Sequence, residues 1–175
     1  MENELCVGDI LLFSRAHPNF IEHSIQWFTD GPYYHAALAL DSKDLIEATP
    51  SGVKITPIET YLSDIMLVRR LKNITPEQTS KITEEALRMK SFSYSYLNDG
   101  IDAVYLGFKK LGLNTLSLEL QRIHANFEGL INCSELVAKA YFLGIGLRLC
   151  PGIYSGDVTP QDLASTQSLE TVKYA

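Results

Sequence analysis

The sequence is short of several things at once. Only three cysteines occur in 175 residues, Cys6, Cys133 and Cys150, with no CxxC pair and no Cys/His spacing of the zinc type. A disulfide scaffold is therefore excluded, no metal or cofactor is expected, and all three side chains read as reduced thiols. Basic charge is scarce too: 15 Lys and Arg stand against 21 Asp and Glu, a net charge of −6. No general field exists to hold a polyanion, so nucleic acid is not an expected partner. Long apolar runs are missing, and stretches such as Ala36 to Leu40 fall far short of the roughly 20 residues of a membrane span. No integral membrane association is expected. Residues 1–9 carry Glu2, Glu4 and Asp9 where a leader would place a basic and then an apolar segment, which makes the cytoplasm the expected location.

What is present suits an ordinary globular chain: 46% hydrophobic and 21% charged residues, with a mean hydropathy of +0.00. A chain of this length buries on the order of two-thirds of its unfolded surface. With no repeat, low-complexity tract or linker, a single domain over residues 1–175 is expected.

Leu5 to Ser14 opens on a Gly8-Asp9 turn and continues as the unbroken apolar block Ile10, Leu11, Leu12 and Phe13, the pattern of a buried strand. Pro18 to Thr29 has largely helical spacing. From Tyr34 the chain becomes a series of short extended segments: Tyr34 to Leu40, Asp44 to Ala48, Gly52 to Ile58 and Ile65 to Leu71. Turn-length gaps between them predict an antiparallel meander. Asn73 to Lys90 is the best-marked helix, opened by Thr75, Pro76 and Gln78 in a capping-box pattern. Asp99 to Leu111 reads as a helix, Thr115 to Gly129 as helix or insertion, and Cys133 to Leu143 as a helix stopped by Gly144. Thr159-Pro160 starts a last short helix. The composite is an α+β fold, with an antiparallel sheet or small barrel packed against helices.

Chemistry concentrates at three residues. Cys133 follows the polar Asn132 at the start of an amphipathic helix, where unpaired N–H groups and the positive end of the helix dipole favour a thiolate. Glu135 in the first turn fits the cap. His35 starts a strand and is followed by small residues that leave room for another chain to approach. Of the other histidines, His17 precedes a proline, His23 sits in a polar step of the first helix and His124 lies in an ill-defined segment. Glu47 is a charge in an apolar strand one short turn beyond that of His35, and hairpin pairing can bring the two together. Nucleophile, base and orienting acceptor form one constellation. Each residue also has a plainer reading: Cys133 as a small packed apolar group, His35 as a structural histidine, and Glu47 as an edge charge. Cys6 and Cys150 lack a helix start and read as core packing.

Four blocks carry a resemblance to a known family. They are Gly8-Asp9-Ile10-Leu11-Leu12-Phe13, then Phe28 to Leu38 around His35, then Ile46-Glu47-Ala48 with Gly52-Val53, and Asn132 to Val137 with Val158-Thr159-Pro160. In this order the chain resembles the circularly permuted, papain-like branch of the NlpC-type amidase and peptidase superfamily, in particular the YiiX/YaeF-like proteins. The resemblance implies a permuted papain-like fold, with Cys133 as nucleophile, His35 as base and Glu47 as the group that orients it. His35 precedes Cys133 by 98 positions, the order the permutation implies. Two departures fall beside the site: Asn132 stands where an aromatic residue is common, and Tyr34 where a small one is. Tyr34 is a candidate substrate-binding residue, and with Trp27, Phe28 and Tyr33 nearby an apolar acyl chain would suit the cleft.

The expected activity is that of a cysteine hydrolase acting on an amide bond through a thioester, its partner a small-molecule or lipid-like amide: an N-acyl amino acid, a lipid amide or a cell-wall peptide. Two alternatives stay open. One is acyl transfer of the lecithin:retinol acyltransferase kind, and the other is a binding protein that keeps the fold without turnover.

Overall fold

The computed structural model describes residues 4–15, 31–49, 51–91, 93–94 and 130–174. The helices read over Pro18 to Thr29 and Asp99 to Leu111, the segment Thr115 to Gly129, and Trp27, Phe28, His17, His23 and His124 lie outside the described residues.

Eight strands and three helices are described: β1 (Ile10–Ser14), β2 (His35–Ala39), β3 (Asp44–Thr49), β4 (Gly52–Pro57), β5 (Ile65–Leu71), α1 (Pro76–Arg88), β6 (Ser93–Tyr94), β7 (Leu130–Ile131), α2 (Cys133–Ile145), α3 (Pro160–Ser165) and β8 (Leu169–Val172). Six strands form one open antiparallel sheet in the order β4-β3-β2-β1-β5-β8, and β6 pairs with β7 in parallel. The α+β class is as expected, in its open-sheet form. The meander is shorter than the spacing predicts. β2, β3 and β4 follow one another, but β5 crosses to the far side of β1, where Leu11 faces Val68 and Phe13 faces Met66. A fully buried β1 explains the difference, because a strand buried on both faces belongs inside the sheet with a neighbour on either side.

Alternate residues divide the core in two. Ile10, Leu12, Ala36, Leu38 and Ile46 point to the helices, where they meet Ile82 and Ala86 of α1 and Leu136, Val137 and Tyr141 of α2. Leu11, Phe13, Ala37, Leu45 and Val68 make a smaller cluster on the opposite face, as a side-chain period of two requires.

The capping-box pattern at Thr75 is present in full, with the Gln78 amide donating to the Thr75 side chain and the Gln78 side chain accepting from the Thr75 backbone. α2 runs further than expected. It passes through Gly144 and ends at Gly146, which takes the left-handed conformation (φ 72°) that suits glycine at a helix end. Gly144 serves packing instead of termination: a Cβ there would lie 2.8 Å from the Ile82 backbone nitrogen, so its absence lets α2 approach α1. Cys6 is also corrected. It is exposed, while Cys150 is buried as expected, and burial, followed by the charge of Asp162, pushes the Cys150 thiol up to about 11. Cys6 is held in a turn, its backbone N–H donating to Asp9 Oδ2 at 2.8 Å, so the polar turn ahead of β1 keeps its side chain off the sheet. β8 had no expectation, because its short Leu-Glu-Thr-Val run is marked by little beyond its pairing with β5.

No helix of the described residues is long and apolar enough to cross a membrane.

Candidate active site

The sheet register brings His35 and Glu47 together. Leu38 faces Ile46 and Ala39 faces Leu45. Continued two residues along, that pairing sets His35 diagonal to Glu47 on one face of the sheet, within reach of long side chains. His35 Nε2 lies 2.6 Å from Glu47 Oε2. The carboxylate is fully buried and the imidazole nearly so, at 0% and 12% side-chain exposure. β3 is flanked by β2 and β4, so Glu47 is not an edge charge.

Two hydroxyls complete the carboxylate's surroundings. Thr56 of β4 donates to Oε1 at 2.5 Å, and Tyr61, in the 3-10 turn Ile58–Tyr61, donates to Oε2 at 2.5 Å. Lys54 Nζ stands 4.0 Å from Oε1. Burial works against the charge of Glu47, yet the hydrogen bond and charge of His35, followed by the two hydroxyls, hold its carboxyl below the usual range. Burial and the adjacent Glu47 push the Tyr61 phenol well above its ordinary value, which keeps it a donor.

Aromatic rings fix the plane of the imidazole. Phe13 pairs with His35 across β1 and β2 and stacks on it at 5.9 Å between ring centroids. Tyr61 stands 5.9 Å away on a similar plane. Tyr34, also stacked, is pinned by its N–H to the Phe13 carbonyl at 3.0 Å. The Tyr34 hydroxyl donates to Asp64 Oδ2 at 2.5 Å, and Arg15 donates to the same carboxylate through Nε at 2.7 Å and Nη2 at 3.2 Å. Tyr34 therefore offers the site a ring, and its hydroxyl is engaged with Asp64.

Cys133 arrives from the other side of the sheet. Asn132 caps α2: its Oδ1 accepts from the Glu135 N–H at 2.8 Å, and the Glu135 side chain accepts from the Asn132 backbone N–H at 3.4 Å. That box gives Asn132 a reason to stand where the resembled proteins often place an aromatic residue. Ser134 Oγ donates to the Val158 carbonyl at 2.6 Å and Asn132 Nδ2 to the Gly156 carbonyl at 3.4 Å. The helix start is thus tied to the segment ahead of α3, which relates the Val158-Thr159-Pro160 block to the cysteine. The amides of Cys133 and Ser134, first in the helix, have no intrahelical acceptor.

The Cys133 thiol, 8% exposed, lies near enough to the His35 ring to act on its protonation. With Nε2 engaged by Glu47, Nδ1 is the nitrogen left for the sulfur. Burial alone would lower the His35 pKa. Against it, the charge and hydrogen bond of Cys133, then those of Glu47, push it up to about 10. The structure thus brings Cys133 close to His35, on which Glu47 closes from β3.

Thr56, Tyr61, Asp64 and Phe13 were not singled out by the sequence. Thr56 had a usable signal, because the tight turn pairs Thr49 with Gly52 and Glu47 with Lys54, which sets Thr56 diagonal to Glu47. Tyr61 and Asp64 lie past the end of β4, where no strand period carries the count forward.

No protein-family model matches the chain. Over 95 residues it is 30% identical to the probable lipoprotein peptidase YaeF of Escherichia coli (strain K12), a match covering 53% of this chain and 34% of YaeF. Among solved structures it superposes on YiiX of Escherichia coli O157:H7 with a TM-score of 0.68, over 100% of this chain and 99% of that one. The chain is similar to YaeF over part of its sequence and to YiiX in fold. At 18% identity the likeness to YiiX is one of fold, and the chain spans about a third of the length of YaeF. YiiX is described as a metalloprotein. Among the described residues of this YiiX-like chain, no group of three or more His, Cys, Asp or Glu is placed to hold a metal ion.

Proposed function

We propose that residues 1–175 form one hydrolase domain of permuted papain-like type that cleaves an amide bond through a cysteine thioester. The observation that supports this is a histidine, His35, held 2.6 Å from a buried carboxylate, Glu47, with the thiol of Cys133, first residue of α2, near enough to act on it. The similarity to a protein named a peptidase supports the hydrolase class.

In this mechanism the Cys133 thiolate attacks the carbonyl carbon of the amide, and negative charge develops on the carbonyl oxygen. The Cys133 and Ser134 amides at the start of α2 are the donors suited to it. The C–N bond breaks as the His35 imidazolium gives its proton to the leaving amine. Water then attacks the thioester while His35 takes one of its protons, the carbon–sulfur bond breaks, the acid leaves, and the Cys133 thiolate stands again beside the His35 imidazolium. Glu47 holds the imidazole in plane and supports its positive charge throughout. The Tyr34 ring, stacked near His35, is the side chain suited to meet an apolar acyl group, which favours N-acyl amino acids and lipid amides over a purely polar peptide. Acyl transfer to an amine would use the same thioester with a different acceptor. The name of YaeF associates that relative with lipoproteins.

Incubation with a panel of N-acyl amino acids, lipid amides and short peptides tests the assignment, with mass spectrometry to trap acylated Cys133. Turnover by the native chain and its loss in Cys133→Ala are expected. Equal turnover in Cys133→Ala would overturn the reading.

A further inference from the structure

A buried histidine next to a buried glutamate has two ways to hold one proton. It can sit on the ring, giving imidazolium and carboxylate, or on the carboxyl, giving two neutral groups. A low-dielectric setting favours the neutral pair unless other groups solvate the charges. Only the charged pair places a cation beside the Cys133 sulfur. The location of this proton therefore separates an activated thiol from an ordinary one.

The surroundings of Glu47 contain the solvating groups. Thr56 donates to Oε1 and Tyr61 to Oε2, each at 2.5 Å, and hydrogen bonds to an ionised acceptor are the strong kind. Both hydroxyls come from outside the strand pair that carries His35 and Glu47: Thr56 from β4 and Tyr61 from the turn after it. The charged and titratable groups facing the pair are Cys133 from α2, Lys54 from β4 at 4.0 Å from Oε1, Tyr61, and Asp64, which is itself bound to Arg15 and Tyr34. Asp64 is engaged by its own cation, and Lys54 is half exposed, so screening weakens its effect. Thr56 and Tyr61 are the close, shielded donors.

We propose that Thr56 and Tyr61 are positioning residues that keep the shared proton of the His35–Glu47 pair on His35, by holding Glu47 as a carboxylate with two hydroxyl hydrogen bonds. Remove the hydroxyls and the proton moves from His35 Nε2 to Glu47. The ring becomes neutral and accepts from the carboxylic acid, and Cys133 loses its counter-ion. No atom is gained or lost; one N–H bond is exchanged for one O–H bond. The inference rests on the cysteine-hydrolase reading of the site, but it is measured on the pair itself.

The test uses the full chain, iodoacetamide as the thiol probe and nitrogen NMR of the His35 ring at pH 8, in the native protein, Tyr61→Phe, Thr56→Val, Thr56→Ser and the Phe/Val double variant. Tyr61→Phe keeps the ring stacked on His35 and Phe13, whose centroid lies 4.2 Å from that of Tyr61. Thr56→Val keeps the shape. In the native protein both His35 nitrogens are expected in the protonated range, and Cys133 should alkylate faster than the exposed Cys6. Each single removal should slow Cys133 alkylation at pH 7 about tenfold, and the double variant should bring it to the Cys6 rate with a neutral His35 ring. Thr56→Ser should restore the native behaviour. Tyr141→Phe is the matched control, because it deletes a buried phenol that donates to the Gly8 carbonyl at 2.6 Å, away from the pair; it should leave the His35 signals unmoved. A double variant with both His35 nitrogens still protonated would overturn the inference. So would a native protein whose ring is neutral at pH 8, which needs no variant to fold. A native Cys133 no faster than Cys6, with the ring doubly protonated, would instead count against the hydrolase reading and leave the proton assignment standing.

Discussion

Replacing Glu47 by Gln removes one charge and almost no volume, and its effects can be worked from the contact it disrupts. His35 Nε2 and Glu47 Oε2 are 2.6 Å apart with little solvent access. At that separation and an effective dielectric constant of about 20, the attraction is about 6 kcal/mol, most of it offset by the cost of burying both groups. What remains visible in titration is the usual effect of an adjacent opposite charge, about 1 to 3 pH units. His35, pushed up to about 10 in the native protein, should then titrate at about 7 to 9 in the variant. A single amide oxygen would also face three donors, from His35, Thr56 and Tyr61, for a stability loss of about 1 to 3 kcal/mol. Amide hydrolysis should fall by about 100-fold or more, the scale of a positioned acid–base group. NMR titration of the four histidines, assigned with His35→Gln, gives the midpoint, and urea unfolding gives the stability. A His35 midpoint still near 10 in Glu47→Gln, or hydrolysis within threefold of native, would refute the account of Glu47.

Three further outcomes are expected. The stabilisation of native protein over His35→Gln should be largest between about pH 4.5 and 6.5, as read by denaturant midpoints. The raised pKa of His35 gives a contribution fully present below 6.5 and lost as pH rises through about 10. The depressed pKa of Glu47 gives one present above 4.5 and lost as pH falls through its lowered value; a difference still growing between pH 7 and 10 would contradict the His35 sign, and one that did not shrink on acidification below 4.5 would contradict the Glu47 sign. Asn132→Ala should cost about 1 kcal/mol through loss of the α2 cap, lowering the melting temperature by about 2 to 4 °C, and hydrolysis should fall as the Cys133 amide loses its fixed direction. Gly144→Ala should cost about 1 to 3 kcal/mol, because its Cβ would meet α1 backbone within 3.0 Å. Gly146→Ala, with open space but φ 72°, should cost about 1 kcal/mol from backbone strain alone, so a larger loss at Gly146 would count against the close-packing account.

The parts of this fold legible in the sequence are those with local causes. The Thr75 box, the turns that bound β2 to β4 and the Asn132–Glu135 cap are all encoded within a few residues, and the helix start marks Cys133 for the same reason. The Asp41-Ser42-Lys43 turn likewise anticipates the nearness of His35 and Glu47. What was not legible depends on distant chain. Nothing in Ile65 to Leu71 says that it pairs with β1 instead of β4, and nothing beside Cys6 says that its turn faces solvent. Gly144 looks like a stop signal until α1 is seen against it. Tyr61 and Asp64 reach the site from a turn whose direction is set by packing against Phe13 and Tyr34, not by any period in its own residues.

The sheet order has a consequence for how reactivity is acquired during synthesis. β1 to β5 all fall within the first 71 residues, and only the edge strand β8 comes from the end of the chain. Imidazole, carboxylate and both hydroxyls thus belong to one region of short-range pairings, the kind of contact that forms early. The thiol lies 98 positions after His35 and emerges from the ribosome last among the reactive groups. A nascent chain therefore holds the acid–base half of the site with nothing to activate, and an unfolded chain holds a thiol with no base beside it. On the proposed mechanism, reactivity at Cys133 appears only when the helix docks on a finished sheet, so selective alkylation of that one sulfur should double as a measure of complete folding.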